Sequence, residues 1–236
     1  MMKVLITGAT SGIGEKLALR YAQQGAEVIA CGRNTNKLDS LSKHFPNIEA
    51  WGFDLTHYSE YPRLETELDL LILNAGDCEY IDDALHFDAQ KFERVININL
   101  IAIGYALENW LHRIKRGGRL VLVSSSAGLL PLPRAEAYGA SKAALTYLAQ
   151  TLFIQLKPRG VHVSVVLPGF VDTPLTEKNT FDMPMLISTE EATSEIIRGI
   201  EKGKFEISFP RRFIFIMKIL KLLPLSVWQK LATRMN

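Results

Sequence analysis

Cysteine, long apolar runs and acidic residues near the end of the chain are scarce in this sequence of 236 residues. Cys31 and Cys78 form no Cys-x-x-Cys pair and are too few for a disulfide framework, so we expect a reducing compartment, the cytoplasm. The longest uncharged apolar stretch, around Val95 to Leu107, falls short of the roughly 18 residues that a membrane span requires. A first strand predicted from residue 3 leaves no room for a signal peptide.

Composition indicates a globular protein without a metal site. Hydrophobic residues make up 47% of the chain and charged residues 22%, which is ordinary for such proteins. A chain of this length can bury a large core and commonly remains a single α/β domain. The histidines show no metal-ligand spacing, so we predict no metal site. They are His44, His57, His86, His112 and His162.

Strand and helix patterns alternate along the chain. Strands are predicted near residues 3–7, 27–31, 48–53, 69–73, 119–124, 161–166 and 205–209. Helices are predicted near residues 12–24, 35–44, 88–115, 136–157 and 189–202. Continuously apolar strands, such as residues 70–73 and 120–123, suit a parallel sheet that is covered on both faces. We therefore predict an α/β fold with a doubly wound parallel sheet, whose ligands bind beyond the carboxyl ends of the strands.

A glycine-rich turn joins the first predicted strand to the first predicted helix. The strand Lys3–Thr7 runs into Gly8-Ala9-Thr10-Ser11-Gly12-Ile13-Gly14, with the spacing Gly-x-x-x-Gly-x-Gly. Glycines let the backbone approach a pyrophosphate, and the free N–H groups and dipole of a helix N-terminus attract its charge. A glycine cluster alone is often only a turn, but strand, turn and helix together predict a dinucleotide site.

Tyr138 and Lys142 stand four residues apart in a predicted helix, a separation that places both on one face. Of the seven tyrosines, only Tyr138 has a lysine four places on. An ordinary tyrosine has a pKa of about 10, so a base near pH 7 needs about 4 kcal/mol of phenolate stabilisation. A fixed lysine beside a cationic nicotinamide ring could supply it. The competing interpretation is a solvated pair on a helix surface.

Further polar candidates follow the ends of predicted strands. Asp54-Leu55 follows the third strand, Asn74-Ala75-Gly76 the fourth, Ser125 the fifth and Pro168-Gly169 the sixth. With these motifs, from residue 3 to about residue 202, the chain resembles the short-chain dehydrogenase/reductase family. The resemblance rests on five motifs in the right order. It implies a Rossmann fold that binds a nicotinamide cofactor and interconverts alcohols and carbonyls.

The resemblance also implies four catalytic residues. Tyr138 would act as general acid or base on the substrate oxygen, and Lys142 would lower its pKa and hold the nicotinamide ribose. Ser125 precedes Tyr138 by thirteen residues, the spacing of the family, and would hydrogen-bond the substrate oxygen. Asn99 matches the family asparagine that organises a water leading to the lysine. We prefer it to Asn97 because Asn-Leu is the matching pair.

Other motifs match cofactor contacts of the family. Asp54 resembles the aspartate that binds the adenine amine, with a helix N-cap as the competing interpretation. Asn74 and Gly76 match the turn that passes the adenosine ribose, and Thr173 matches the hydroxyl that anchors the carboxamide. The remaining contacts expected from the resemblance are Gly8, Thr10, Ser11, Gly12, Ile13, Gly14, Leu55, Ala75, Pro168, Gly169 and Val171.

Arg33, at the end of the second predicted strand, favours NADP(H) over NAD(H). An acidic residue there would bind both ribose hydroxyls and repel a 2′-phosphate, whereas a guanidinium fork suits a phosphate. Many NADP-preferring relatives also carry a basic residue before the second glycine of the loop, and this chain has Ser11 there. The competing interpretation is that Arg33 is merely exposed.

The substrate is expected to be a small apolar carbonyl compound or secondary alcohol, and no nucleic-acid partner is expected. Apolar residues follow Thr173 (Leu175, Phe181, Met183, Met185, Leu186 and Ile187) and Ser125 (Leu129, Leu130 and Leu132). The same residues could equally be core or interface residues. A cofactor-binding sensor or scaffold is the alternative function, although all four catalytic residues are present. Family members often pair their long helices, here 88–115 and 136–157, into homodimers or homotetramers.

The C-terminal segment departs from much of the family. We divide the chain into a catalytic domain, 1–206, and a tail, 207–236, which has six basic residues and no acidic one. Since the whole chain carries +2, a tail of +6 leaves −4 on the domain. The basic residues are Arg211, Arg212, Lys218, Lys221, Lys230 and Arg234. They alternate with apolar residues at roughly helical spacing up to Met235, which suits either an anionic membrane surface or packing on the protein itself.

Overall fold

The computed structural model describes residues 1–233 and contains one seven-stranded sheet. The strands are β1 (Lys3–Thr7), β2 (Glu27–Gly32), β3 (Ile48–Gly52), β4 (Leu68–Leu73), β5 (Ile114–Val123), β6 (His162–Pro168) and β7 (Glu206–Phe209). All neighbours pair in parallel, in the order β3-β2-β1-β4-β5-β6-β7. The chain thus winds outward from β1 to β3, then crosses to β4 and winds the other way. This order confirms the doubly wound parallel sheet.

Helices cover both faces of the sheet. They are α1 (Gly12–Gln23), α2 (Thr35–His44), α3 (Ala89–Ile96), α4 (Ala102–Trp110), α5 (Glu136–Leu156), α6 (Thr189–Glu201), α7 (Arg211–Lys221) and α8 (Leu225–Ala232). Side chains alternate along each strand, so Val4 and Ile6 pack under α1, α2 and α6, while Leu5 packs under α4 and α5. The core therefore has two layers, one on each side of the sheet.

The helix predicted over 88–115 is interrupted in the structure. α3 ends at Ile96, a π-helical turn spans Asn97–Ile101, and α4 begins at Ala102. β5 begins at Ile114, where a bulge separates the pairs Leu68–Ile114 and Leu70–Arg119. The π turn re-aims Asn99 into the core, where it bonds the backbone of Asp77, and π turns often mark functional sites.

The tail packs on the protein through one face. β7 extends to Phe209, three residues into the segment assigned to the tail, and α7 and α8 follow it. Ile214 and Met217 of α7 are buried, as are Trp228 and Ala232 of α8. Met217, Trp228 and Ala232 cluster with Leu130, and the indole Nε1 of Trp228 donates to the carbonyl of Pro131 at 2.9 Å. Arg234 and Met235 lie outside the described residues. Within residues 1–233, no helix is long and apolar enough to cross a bilayer.

Thr7, which the sequence did not single out, joins the ends of β1 and β4. Its buried hydroxyl accepts hydrogen bonds from the backbone N–H groups of Asn74 at 3.0 Å and Ala75 at 3.1 Å. The Asn74 side-chain amide donates to the carbonyl of Thr7 at 3.1 Å. Together these bonds fix the turn after β4 against the glycine-rich turn after β1.

We predict that Thr7→Val destabilises the protein although valine has nearly the same shape and suits a strand. Two backbone N–H groups would lose their acceptor, at a cost of about 1–3 kcal/mol for each group that stays dry. Thr7→Ser keeps the hydroxyl and serves as the matched control. Denaturant titration measures both free energies of unfolding. Equal losses for the two variants would show that the hydroxyl does not hold this turn.

Candidate active site

A cavity of about 440 Å³ lies at the carboxyl ends of the strands and collects most of the residues singled out in the sequence. The expected site residues that line it are Gly8, Thr10, Ser11, Ile13, Arg33, Asp54, Leu55, Asn74, Ala75, Gly76, Ser125, Tyr138, Lys142, Pro168, Gly169, Val171 and Thr173. Gly12, Gly14 and Asn99 support its walls from behind. Residues distant in sequence meet here because parallel strands bring their carboxyl ends to one edge of the sheet.

The glycine-rich turn forms one wall of the cavity. Gly8 and Gly12 have φ angles of +68° and +52°, which favour glycine, and a Cβ on Gly14 would stand 2.2 Å from the carbonyl oxygen of Gly8. Ser11 occupies the N-cap of α1 but does not use its hydroxyl as a cap, so the first N–H groups of the helix remain available. This cradle has the chemistry that a pyrophosphate needs.

Lys142 is buried beside Tyr138 on α5. Its Nζ lies 5.7 Å from the centroid of the Tyr138 ring and donates to the carbonyl of Val123, the last residue of β5, at 3.0 Å. The residue is only 4% exposed. Burial lowers the pKa of Lys142 to about 8, so the amine stays mainly charged at neutral pH.

Tyr138 has a raised pKa rather than the lowered one expected from its lysine neighbour. Burial is the main cause, the nearby Cys78 adds to it, and the Ser125 hydroxyl acts in the opposite direction. Here the cost of removing water from a phenolate exceeds the stabilisation that the surrounding groups of the chain give to it. Tyr138 therefore keeps its proton at neutral pH.

Asn99 lies behind Gly76, next to the lysine. Its Oδ1 accepts from the N–H of Asp77 at 2.9 Å, and its Nδ2 donates to the carbonyl of Asp77 at 2.9 Å and to Ser141 Oγ at 3.0 Å. A Cβ on Gly76 would stand 2.8 Å from Asn99 Oδ1 and 3.2 Å from Lys142 Nζ. Asn97, the competing residue, lines the cavity instead. These bonds tie Asn99 to the backbone of Asp77 and to α5, and its water contact stays a prediction.

Ser124 and Ser125, the first two of three consecutive serines after β5, have different surroundings. Ser124 Oγ donates to the carbonyl of Lys142 at 2.7 Å and meets Thr146 Oγ1 at 2.9 Å, so this hydroxyl anchors α5. Ser125 lines the cavity, and its Oγ accepts from the N–H of Ala127 at 3.1 Å. That bond leaves the Ser125 hydroxyl free to donate toward a bound oxygen.

Arg33 and Asp54 face each other at the mouth of the cavity. Arg33 Nη1 lies 3.7 Å from Asp54 Oδ2, and the arginine side chain is 73% exposed. Asp54 Oδ1 accepts from the N–H and the hydroxyl of Thr56, which makes a local turn rather than a helix cap. Burial alone would raise the pKa of Asp54, but the Thr56 bonds and the Arg33 charge hold it below the usual value.

Thr173 closes the cavity above the glycine-rich turn. A Cβ on Gly12 would stand 3.1 Å from Thr173 Cγ2, so the two segments touch. Thr176 braces Thr173 by accepting its N–H at 3.0 Å and donating to the carbonyl of Val171 at 2.6 Å.

Ser141, which the sequence did not single out, donates to the carbonyl of Tyr138 at 2.7 Å and connects it to Asn99. The position of Ser141, three residues after Tyr138 on the same helix, is the sequence signal that could have identified it.

The chain belongs to the short-chain dehydrogenase/reductase family. The family model described as short chain dehydrogenase matches residues 2–183. An uncharacterized oxidoreductase of Myxococcus xanthus is 33% identical over 245 residues, which cover 98% of this chain and 96% of that protein. The tail therefore falls largely within the region of similarity.

Solved structures share the fold. A short-chain dehydrogenase from Sphingobium yanoikuyae in complex with NADPH is 26% identical, with a TM-score of 0.78 over 99% of this chain and 93% of that one. A short-chain dehydrogenase/reductase from Burkholderia phymatum in complex with NAD has a TM-score of 0.81 at 18% identity, over 92% of each chain. The second comparison supports the fold alone.

Proposed function

We propose that this oxidoreductase transfers a hydride between NADP(H) and an apolar carbonyl compound or secondary alcohol. The observation that carries the proposal is that Ser125, Tyr138 and Lys142 line the same cavity as the glycine-rich cradle. An acid, a hydrogen-bond donor and a cation thus line one cleft with a turn that suits a pyrophosphate. This is the group of side chains that carbonyl reduction requires.

The chain's own groups divide the work. When bound, the nicotinamide supplies or accepts the hydride. Ser125 donates a hydrogen bond to the carbonyl oxygen, and Tyr138 gives its phenolic proton to that oxygen as negative charge develops there. The Lys142 ammonium would stabilise the resulting phenolate and, with the cofactor bound, would hold the nicotinamide ribose. In the reverse direction, Tyr138 removes the alcohol proton. In both directions the raised pKa of Tyr138 disfavours the phenolate until further positive charge lies nearby.

Cofactor preference depends on Arg33. The solved relatives hold either NADPH or NAD, so they do not choose between the two. Arg33 follows β2, where the adenosine ribose binds in this fold, and its 3.7 Å contact with Asp54 is long for an ion pair. Its exposed guanidinium can therefore turn to a 2′-phosphate at little cost. This supports NADP(H), with Asp54 left for the adenine.

An apolar substrate fits the segment that covers the cavity. Leu175 lines the cavity, and Phe181 packs on Phe170 and Tyr80 with ring centroids 6.1 and 5.6 Å apart. Leu129, Leu130 and Leu132, which were also expected near the substrate, pack instead with the tail helices. The support for an apolar substrate therefore comes from the segment after Thr173.

A homo-oligomer in the cytoplasm accompanies this proposal. The outer side of α5 exposes Tyr147 and Ile154, large apolar side chains that a second α5 would cover. Cys31 and Cys78 are free buried thiols, which suits a reducing compartment.

We predict that Tyr138→Phe lowers turnover of apolar ketones with NADPH by about a hundredfold or more. The substitution removes the proton donor and keeps the ring, so NADPH should bind as before. Tyr147→Phe, an exposed tyrosine on the same helix, is the matched control and should keep full turnover. Steady-state rates and NADPH fluorescence titration measure the two quantities. Unchanged turnover in Tyr138→Phe would refute the assignment, and NADPH binding without turnover in the wild type would support a sensor.

We also predict that Arg33→Ala weakens NADPH binding about tenfold while NADH binding hardly changes. The variant loses one charge-assisted contact to the 2′-phosphate, which is worth about 1.5 kcal/mol or more. Arg63→Ala removes another exposed arginine of the same domain and should leave both dissociation constants unchanged. A wild-type protein that binds NADH as tightly as NADPH would contradict the NADP(H) preference.

A further inference from the structure

The two tail helices present a second apolar face to the outside. Phe215 and Ile219 of α7, with Leu222 directly after the helix, recur at helical spacing away from the buried Ile214 and Met217. On α8, Val227 and Leu231 point away from the protein in the same way. We call Phe215, Ile216, Ile219, Leu222, Val227 and Leu231 the outer tail face. Burial of the inner face thus leaves a concentration of exposed large apolar side chains, of the kind that marks an interaction surface.

Positive charge surrounds the outer tail face. Arg211, Arg212, Lys221 and Lys230 are exposed around it, and the sequence has no acidic residue after Glu206. Lys218 pairs with that glutamate at 2.6 Å. The rest of the chain is net acidic, so the net positive charge lies in the part of the molecule that carries these apolar residues.

Arg211 and Arg212 lie at a position where positive charge does not stabilise the helix. They are the first two residues of α7, at the positive end of its dipole, where a cation is unfavourable by about 0.3–1 kcal/mol. Helix stability therefore does not explain two adjacent arginines at this place. An external anionic partner does, because it would neutralise both charges next to Phe215.

We infer that the outer tail face docks on an anionic lipid bilayer. An amphipathic surface with aromatic and aliphatic residues ringed by lysine and arginine fits the boundary between acyl chains and acidic headgroups. A second copy of the chain fits less well, because a two-fold contact through this face would place the same basic residues opposite each other. The partner is thus a bilayer surface with anionic headgroups, for which phosphatidylserine vesicles serve as the probe.

The docked helix would lie next to the candidate active site. Phe213 of α7 lies against Gly169, which lines the cavity, since a Cβ on Gly169 would stand 2.8 Å from Phe213 Cδ1. The Phe213 and Phe170 ring centroids are 5.5 Å apart. Resting on the proposed function, this position lets apolar substrates pass between bilayer and cavity over a short path. Binding itself needs no turnover and can be measured separately.

Flotation of the full-length protein with vesicles tests the docking. We expect binding to phosphatidylcholine vesicles that contain phosphatidylserine at an ionic strength of about 0.01 M. Binding should be lost at about 1 M, where the screening length falls to about 3 Å. Phosphatidylcholine alone should bind weakly. Arg211→Ala combined with Arg212→Ala should weaken binding to the anionic vesicles about twenty-fivefold, at roughly fivefold for each charge.

A matched pair of variants separates the outer tail face from a general charge effect. Phe215→Glu with Ile219→Glu should abolish flotation. Leu85→Glu with Phe87→Glu makes the same change of charge at apolar residues elsewhere and should float like the wild type. The replaced residues are 65% and 47% exposed in the first variant and 93% and 47% in the second, so all four stand on the surface. Circular dichroism and NADPH binding check that both variants fold.

Three results would overturn the docking. They are no binding of the folded wild type at low ionic strength, equal binding to vesicles without phosphatidylserine, and equal loss in both double variants. If the wild type does not float and Phe215→Glu with Ile219→Glu dissociates an oligomer in sedimentation, a second copy covers the face instead. A wild-type protein that floats with anionic vesicles but turns over no ketone with NADPH would count against the proposed function only.

Discussion

The buried ammonium of Lys142 is the group on which the geometry of the site depends. Its bond to the carbonyl of Val123 holds α5 across the end of β5, and Ser124 ties the backbone of Lys142 to the same strand end. Glycines stand next to Lys142 because a side chain at their positions would collide with it. A Cβ on Gly76 would crowd Nζ at 3.2 Å, and one on Gly128 would stand 2.7 Å from the N–H of Ala143. A charge buried in this way requires such fixed partners, which also fix Tyr138 and Ser125.

The protonation of Tyr138 follows from the same burial. In an isolated helix, a lysine one turn away would favour the phenolate. Here the low polarity of the surroundings penalises both charged side chains, so the pKa of Tyr138 rises while that of Lys142 falls to about 8. The phenol is protonated and stands beside a charged amine. Because burial disfavours the phenolate, proton transfer by Tyr138 in either direction needs more positive charge nearby than the chain itself provides.

Sequence patterns predicted the fold and brought most of the candidate side chains to one cavity, because both depend on short-range signals. Apolar strands and glycine spacing determine where β1, β4 and β5 end, and the candidate side chains follow these ends directly. Contacts between distant segments left no such signal. The π turn at Asn99 was not predicted because it depends on hydrogen bonds between Asn99 and the backbone of Asp77, a residue distant in sequence. The apolar residues after Ser125 could have contacted the substrate or belonged to the core, and Leu130 packs with Trp228, a residue almost a hundred positions away.

The central claim is that this protein moves a hydride to a carbonyl carbon, and isotope transfer tests it most directly. The protein would be incubated in ordinary water with NADPH that carries deuterium at the transferable position of the nicotinamide ring. Apolar ketones such as acetophenone and cyclohexanone would serve as acceptors, and mass spectrometry and proton NMR would locate the label. The account predicts an alcohol with deuterium on the former carbonyl carbon and a solvent-derived hydroxyl proton. An alcohol whose carbon carries only solvent hydrogen, or no alcohol from any ketone tested, would contradict it.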